Sequence, residues 1–186
     1  MRVSPYLAGV ALAALAASTQ AQPPFQIHGL HPDLVFTDAV TAIERLGGKC
    51  RIKQSRTEGG GVSAQCALDS VGEVDGVAAD GQPEPPQPVP MIGPQRITRI
   101  GVEAPVESAQ LTRIVFMFDG GLEAVAQYLV QQYGQPAHDG TTTEEQSWSH
   151  SKRRGWVEGN YTMGLLNSPD LVILTVNRQS ADPGAG

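Results

Sequence analysis

The sequence predicts an α+β domain, an antiparallel β-sheet with two α-helices packed on one face. Three observations predict it. Segments with period-two apolar alternation recur along the chain and are joined by short turns, the mark of antiparallel pairing. Two other segments carry apolar residues at helical spacing instead. Of the 186 residues 40% are hydrophobic, enough for a packed core, while 21 glycines and 14 prolines supply loops. The length suits one domain better than two.

The first helix is expected from Thr37, a good N-cap, with Asp38 in the first turn. Phe36, Ala39, Val40, Ile43 and Leu46 form its apolar stripe, and Gly47-Gly48 ends it. Two alternating strands follow, Cys50–Gln54 and Val62–Leu68, around Gly59-Gly60-Gly61. If Cys50 faces Cys66, then Ile52 faces Ala64 and Gln54 faces Val62, and the turn centres on Glu58. That register gathers the apolar residues on one face and puts Lys49, Arg51, Lys53, Ser63 and Gln65 on the other.

Residues 69–95 hold five acids, six prolines and no base before Arg96, which excludes a helix or a central strand. The composition reads as an acidic Pro/Gly-rich excursion, partly polyproline II. Strands are expected again at Arg96–Glu103 and Leu111–Phe118. Asp119 is a candidate cap for the second helix, whose stripe is Leu122, Val125, Ala126, Leu129, Val130 and Tyr133, ended by Gly134 and Pro136. Three strands close the chain, Gln146–Ser151, Gly155–Leu166 and Leu171–Arg178, with Lys152-Arg153-Arg154-Gly155 as the turn between the first two. Asp38-Ala39-Val40 and Glu123-Ala124-Val125 hold similar places in the two helices, which suggests an approximate tandem repeat of helix-plus-meander units.

Outside this domain, residues 1–21 read as a signal peptide. A short basic start is followed by the apolar run Tyr6–Ala17 and by small residues up to Ala21. The run is shorter than the ~20 apolar residues of a spanning helix. Cleavage after Ala21 leaves a chain with no membrane span, periplasmic or secreted, in which a disulfide is permitted. Residues 22–32, with three prolines, are expected as an extended arm, and 179–186 as a disordered tail.

The net charge is −6, so whole-protein attraction to nucleic acid is not expected. Cys50 and Cys66 lack C-x-x-C spacing and have no histidine beside them, which favours a structural disulfide over a redox or metal-binding pair. His28, His31 and Asp33 have metal-like spacing, but Pro32 breaks the segment. No serine stands in a G-x-S-x-G frame, and no Lys-Ser/Thr follows Gly59-Gly60-Gly61. Glu144-Glu145 beside three threonines reads as a solvated pair. No catalytic motif is present and no cofactor is implied. The candidate partner-binding residues are Trp148, Lys152, Arg153, Arg154 and Trp156, a basic hairpin tip flanked by aromatic area, the pairing that interface hot spots favour. Lys49, Arg51 and Lys53 form a second basic patch.

The second helix with its Tyr133-Gly134-Gln135-Pro136 end, the meander bearing Trp148 and Trp156, and the final apolar strand resemble the helix-plus-meander units of small bacterial envelope proteins. The pattern, over residues 119–178, is similar to the SmpA/OmlA lipoprotein family and the β-lactamase inhibitor proteins. The first helix departs from it, ending without a proline, and no lipidation cysteine follows the signal segment. The resemblance implies a non-catalytic envelope protein that binds another envelope or extracellular protein. The alternatives are a binder of small ligands or anionic cell-wall polymers, and an enzyme without a recognisable motif.

Overall fold

Apolar alternation organises a long antiparallel sheet. The computed structural model describes residues 25–54, 60–68, 89–142, 151–168 and 171–179. The signal segment, the Glu58 turn, residues 69–88 of the excursion, Glu144-Glu145, Trp148 and residues 180–186 lie outside the described residues. In chain order the elements are α1 (Phe36–Arg45), β1 (Lys49–Gln54), β2 (Val62–Ala67), β3 (Met91–Ile92), β4 (Gln95–Ala104) and β5 (Arg113–Phe118). There follow α2 (Leu122–Tyr133), β6 (His138–Thr142), β7 (Ser151–Glu158), β8 (Tyr161–Ser168) and β9 (Leu171–Arg178). The strands lie side by side as β1-β2-β4-β5-β9-β8-β7-β6, every described pairing antiparallel, and β3 folds back on the start of β4.

The expected α+β class is corrected by this architecture. Nine strands hold about half of the described residues, and the two helices are only ten and twelve residues long. The chain is largely β. The turn expected at Lys152-Arg153-Arg154-Gly155 is strand, part of β7, and a further strand, β6, begins at His138 directly after the second helix stop. The turn that joins β7 to β8 is Gly159-Asn160, where Gly159 has a left-handed φ of 56°.

The core sits between one face of the sheet and the two helices. Cys66, Ile100, Phe116, Leu174 and Leu165 form one cross-strand row by register, all buried. Phe36, Ala39, Val40 and Ile43 of α1 and Val125, Ala126 and Leu129 of α2 join the same cluster. α1 lies against β1, β2 and β4, and α2 against β8. Gly48 permits the close approach of α1 to β2, because a Cβ there would stand 2.7 Å from Ile43 Cγ2.

The Cys50–Cys66 register is the one the alternation requires, with Ile52 opposite Ala64 and Gln54 opposite Val62. Burial is less even than the pattern. Val62, Ala64 and Cys66 are buried, but Ile52 is 53% exposed because β1 is the sheet edge and reaches past the helix. The helix starts also differ from expectation. Neither Thr37 nor Asp119 caps a helix; the caps are Val35 and Gly121, without side-chain bonds. The segment expected as an extended arm is folded back on the domain. Ile27 and Leu30 pair across a tight turn, Phe25, Ile27 and Leu30 are buried, and Phe25 meets the Tyr133 ring edge-on at 5.5 Å.

Candidate functional site

The structure separates the residues expected at a basic tip. Trp156 is 3% exposed and points into the core, where its indole N–H donates to the Gly134 carbonyl at 2.8 Å. Arg154, two residues earlier, lies on the same helix-side face. Its guanidinium donates to Glu123 at 3.0 Å and to Asp139 at 3.3 Å. Burial alone would lower its pKa, but the hydrogen bonds and charges of the two acids outweigh that and hold it above the ordinary value. Arg154 thus ties α2 to β6 and β7, at one wall of an open cavity of about 350 Å³.

Arg153 alternates with Arg154 and is exposed on the opposite face. The backbone of Lys152 pairs with Thr141. Trp148 lies outside the described residues. Of the five residues expected at an aromatic-plus-basic tip, the three whose side chains are described are a buried tryptophan, an arginine held by two acids, and an arginine on the other face of the sheet.

The other candidates have structural partners. Cys50 and Cys66 form a disulfide. His28 Nε2 lies 2.7 Å from the Met91 carbonyl, and Asp33 accepts the Tyr161 hydroxyl at 2.7 and 2.9 Å. The Tyr161 pKa is raised, first by that hydrogen bond and then by burial. Among the described residues no group of three or more His, Cys, Asp and Glu side chains comes within reach of one metal ion.

The face away from the helices carries a coherent pattern. One register row reads Lys49, Ala67, Arg99, Met117, Ile173, Leu166 and Arg153 across seven strands. The next holds Arg51, Gln65, Gly101 and Val115, and a third holds Lys53, Ser63, Glu103 and Arg113. These rows contain six cations and the single acid Glu103. Among the described residues, no ion pair joins Lys49, Arg51, Lys53, Arg99 or Arg113 to an acid.

A cleft of about 310 Å³ opens on this face over Gly101. Gln65, Arg99, Glu103 and Arg113 rim it, and Val115, Met117 and Ile173 supply apolar wall. Sequence reasoning found the Lys49-Arg51-Lys53 side of this face and missed Arg99, Glu103 and Arg113. The signal was present, since each alternates with a buried neighbour (Ile100, Val102, Ile114) and so must point away from the core.

No family model, curated protein or solved structure matches this chain.

Proposed function

We propose that this chain is a non-catalytic protein-binding module, and that the sheet face turned away from the two described helices is where an acidic partner protein docks. The observation that carries this reading is the excess of cations in the described rows of that face, where Lys49, Arg51, Lys53, Arg99 and Arg113 stand against the single acid Glu103, in a chain of net charge −6. Edge lysines alone would need no partner, because charge on an edge strand blocks unwanted pairing. Arg99 and Arg113, however, lie on the interior strands β4 and β5. The dimensions suit a protein. Eight strands at about 4.8 Å and six residues at about 3.3 Å make a face on the order of 750 Å², close to the ~800 Å² per partner of a standard interface.

The setting we propose is the bacterial envelope or the extracellular space, reached through cleavage after Ala21. The Cys50–Cys66 disulfide supports an oxidising compartment, and among the described residues no helix is long and apolar enough to cross a membrane. The resemblance of residues 119–178 to envelope proteins supports the same setting.

The test is differential capture from one envelope extract. Wild type, Arg51→Glu with Arg99→Glu, and the control Arg45→Glu on the exposed side of α1 are compared by quantitative mass spectrometry. The face variant is expected to lose at least one acidic protein that wild type and control both retain, and wild-type retention should fall as salt rises. Identical captured sets from all three proteins would overturn the proposal.

A further inference from the structure

Gly101 sits in the middle of β4, between the charged side chains of Arg99 and Glu103. Most positions where this fold uses glycine show why. Gly48 has no room for a Cβ, and Gly93, Gly121 and Gly159 adopt left-handed φ. Gly101 has neither constraint, a freedom it shares with Gly155 further along the same register row. Its φ is outside the left-handed region, and a Cβ built on it would meet only ordinary contacts, Val115 Cβ at 3.7 Å and the Ala64 carbonyl at 3.8 Å. An interior strand glycine weakens a strand by roughly 0.5–1 kcal/mol relative to alanine, so folding alone favours a side chain at this position. What its absence leaves is the cleft of about 310 Å³, at the small end of ligand sites, which span roughly 300–1,000 Å³.

The lining defines the chemistry that fits. The floor and one wall are apolar, Gly101 with Val115, Met117 and Ile173, while Arg99 and Arg113 stand at the rim. The edge strand β1, on the far side of β2, adds Lys49, Arg51 and Lys53 on the same face. A group suited to this cleft has a short aliphatic stem and an anionic head. Glutamate has both, and its carboxylate matches the fork of an arginine.

We infer that the cleft over Gly101 is the anchor point of the binding face, and that it takes a glutamate side chain from an extended acidic segment of a partner protein, the carboxylate meeting Arg99 and Arg113. The inference rests on the binding-module reading above and specifies where on the face, and by what chemistry, the partner is held. Charge complementarity selects the occupant. A cationic segment would meet the like charges of Arg99, Arg113 and the β1 cations, and an uncharged one would leave Arg99 and Arg113 desolvated without partners. Glu103, opposite Arg113 in register, disfavours a second acid beside the anchored one.

The probe is a fluorescein-labelled decapeptide of alternating Glu and Ala, followed by fluorescence anisotropy at low salt, with the matching Lys/Ala peptide as control. Gly101→Val fills the cleft without changing charge and suits a strand; Gly101→Ala is the milder second variant. Far-UV circular dichroism and thermal unfolding establish that both are folded. Wild type is expected to bind the Glu/Ala peptide and not the Lys/Ala peptide. Gly101→Val should weaken binding at least tenfold, with thermal stability unchanged or higher. Arg99→Ala with Arg113→Ala should weaken it by a similar factor. Amide resonances that shift on titration should cluster on β2, β4 and β5. If Arg51→Glu with Arg99→Glu abolishes binding but both Gly101 variants bind as wild type, the anchor is overturned while the basic-face reading stands. If the peptide fails to bind at millimolar concentration, or both peptides bind equally, the anchor and the acidic-partner reading fall together. If inorganic polyphosphate of equal charge displaces the peptide and is itself insensitive to Gly101→Val, the face selects anionic polymers and the protein occupant is overturned.

Discussion

Trp156 decides between a tryptophan that binds and a tryptophan that folds. Replacing it with alanine removes a side chain that is 3% exposed and packed in the same cluster as Met163, Leu165 and Leu129. Large aromatic-to-alanine changes in a core cost about 3–5 kcal/mol. The lost indole bond to the Gly134 carbonyl adds at most about 1 kcal/mol, because Gly134 is exposed and water replaces the donor. Against a typical stability of about 5–15 kcal/mol, a loss near 4 kcal/mol is severe. At roughly 2–4 °C per kcal/mol for a chain of this size it lowers Tm by about 8–16 °C. Urea unfolding followed by circular dichroism measures the first figure and a thermal scan the second. Trp156→Phe should recover most of the loss, since it keeps the ring volume on the core side of β7. Arg99→Ala, at an exposed position, should change stability by no more than about 0.5 kcal/mol. If Trp156→Ala costs less than about 1 kcal/mol, the side chain is not packed as described, and the surface reading of the two tryptophans returns.

Cys50→Ala with Cys66→Ala opens a bridge between residues 16 apart in sequence and should cost about 3 kcal/mol, measured by urea unfolding of the oxidised wild type against the double variant. Non-reducing peptide mapping should find the two cysteine peptides linked. Tyr161 is neutral when it donates to Asp33, and its pKa is raised above the model-peptide value of about 10. The stability from this contact is therefore complete below pH ~10 and drains as pH climbs through the raised value. Tyr161→Phe should lower stability near neutral pH by about 1 kcal/mol and should flatten the alkaline part of the stability–pH curve; an unchanged alkaline slope would remove Tyr161 as its cause.

The parts of the fold legible in the sequence are those set by short-range periodicity. The Cys50–Cys66 register follows from alternation together with the cysteine pair: a one-residue slip would turn Val62, Ala64 and Cys66 to solvent, and a two-residue slip would part the cysteines. The α2 stripe is equally local. What was not legible depends on partners distant in sequence. Lys152-Arg153-Arg154-Gly155 has the composition of a turn, yet it is paired on both sides, Arg154 between Asp139 and Leu165 and Gly155 between His138 and Gly164. Ladder bonds on two edges outweigh the weak turn preference of one glycine, and the real turn moves four residues on. The helix starts were misplaced for a similar reason. Val35 is fixed by its bridge to Gln110, and Phe36 by its bond to the Ala109 carbonyl, so α1 begins where tertiary pairing puts it rather than at the best capping side chain. Phe25, Ile27 and Leu30 were hidden by the surrounding prolines, although they are the apolar residues of their segment and the core takes them. The expected class failed by the same route: Lys152-Arg153-Arg154-Gly155, taken for a turn, is sheet, while Gly155–Leu166, taken for one strand, holds the turn Gly159-Asn160 between two strands.

The two faces of the sheet answer to different requirements, and the difference carries the functional argument. An antiparallel sheet can leave one face in water, and any polar residue serves there. Threonine, serine or glutamine would do so without cost. The face turned away from the two described helices instead repeats one charge. Lys49, Arg51 and Lys53 alternate along β1 at about 7 Å spacing, inside the ~8 Å screening length of physiological salt, and Arg99 lies in the same register row as Lys49, two strands away. Like charges at this spacing repel one another weakly through water. Gly101 adds a second small penalty on the same face, an interior strand position left without a side chain that its backbone would accept. The helix-side rows show no comparable departure; from Cys66 across to Leu165 they are apolar and buried. Arg99 and Gly101 lie on that one side of the sheet, two residues apart on β4, and there an acidic partner would meet the charge and fill the gap in a single contact.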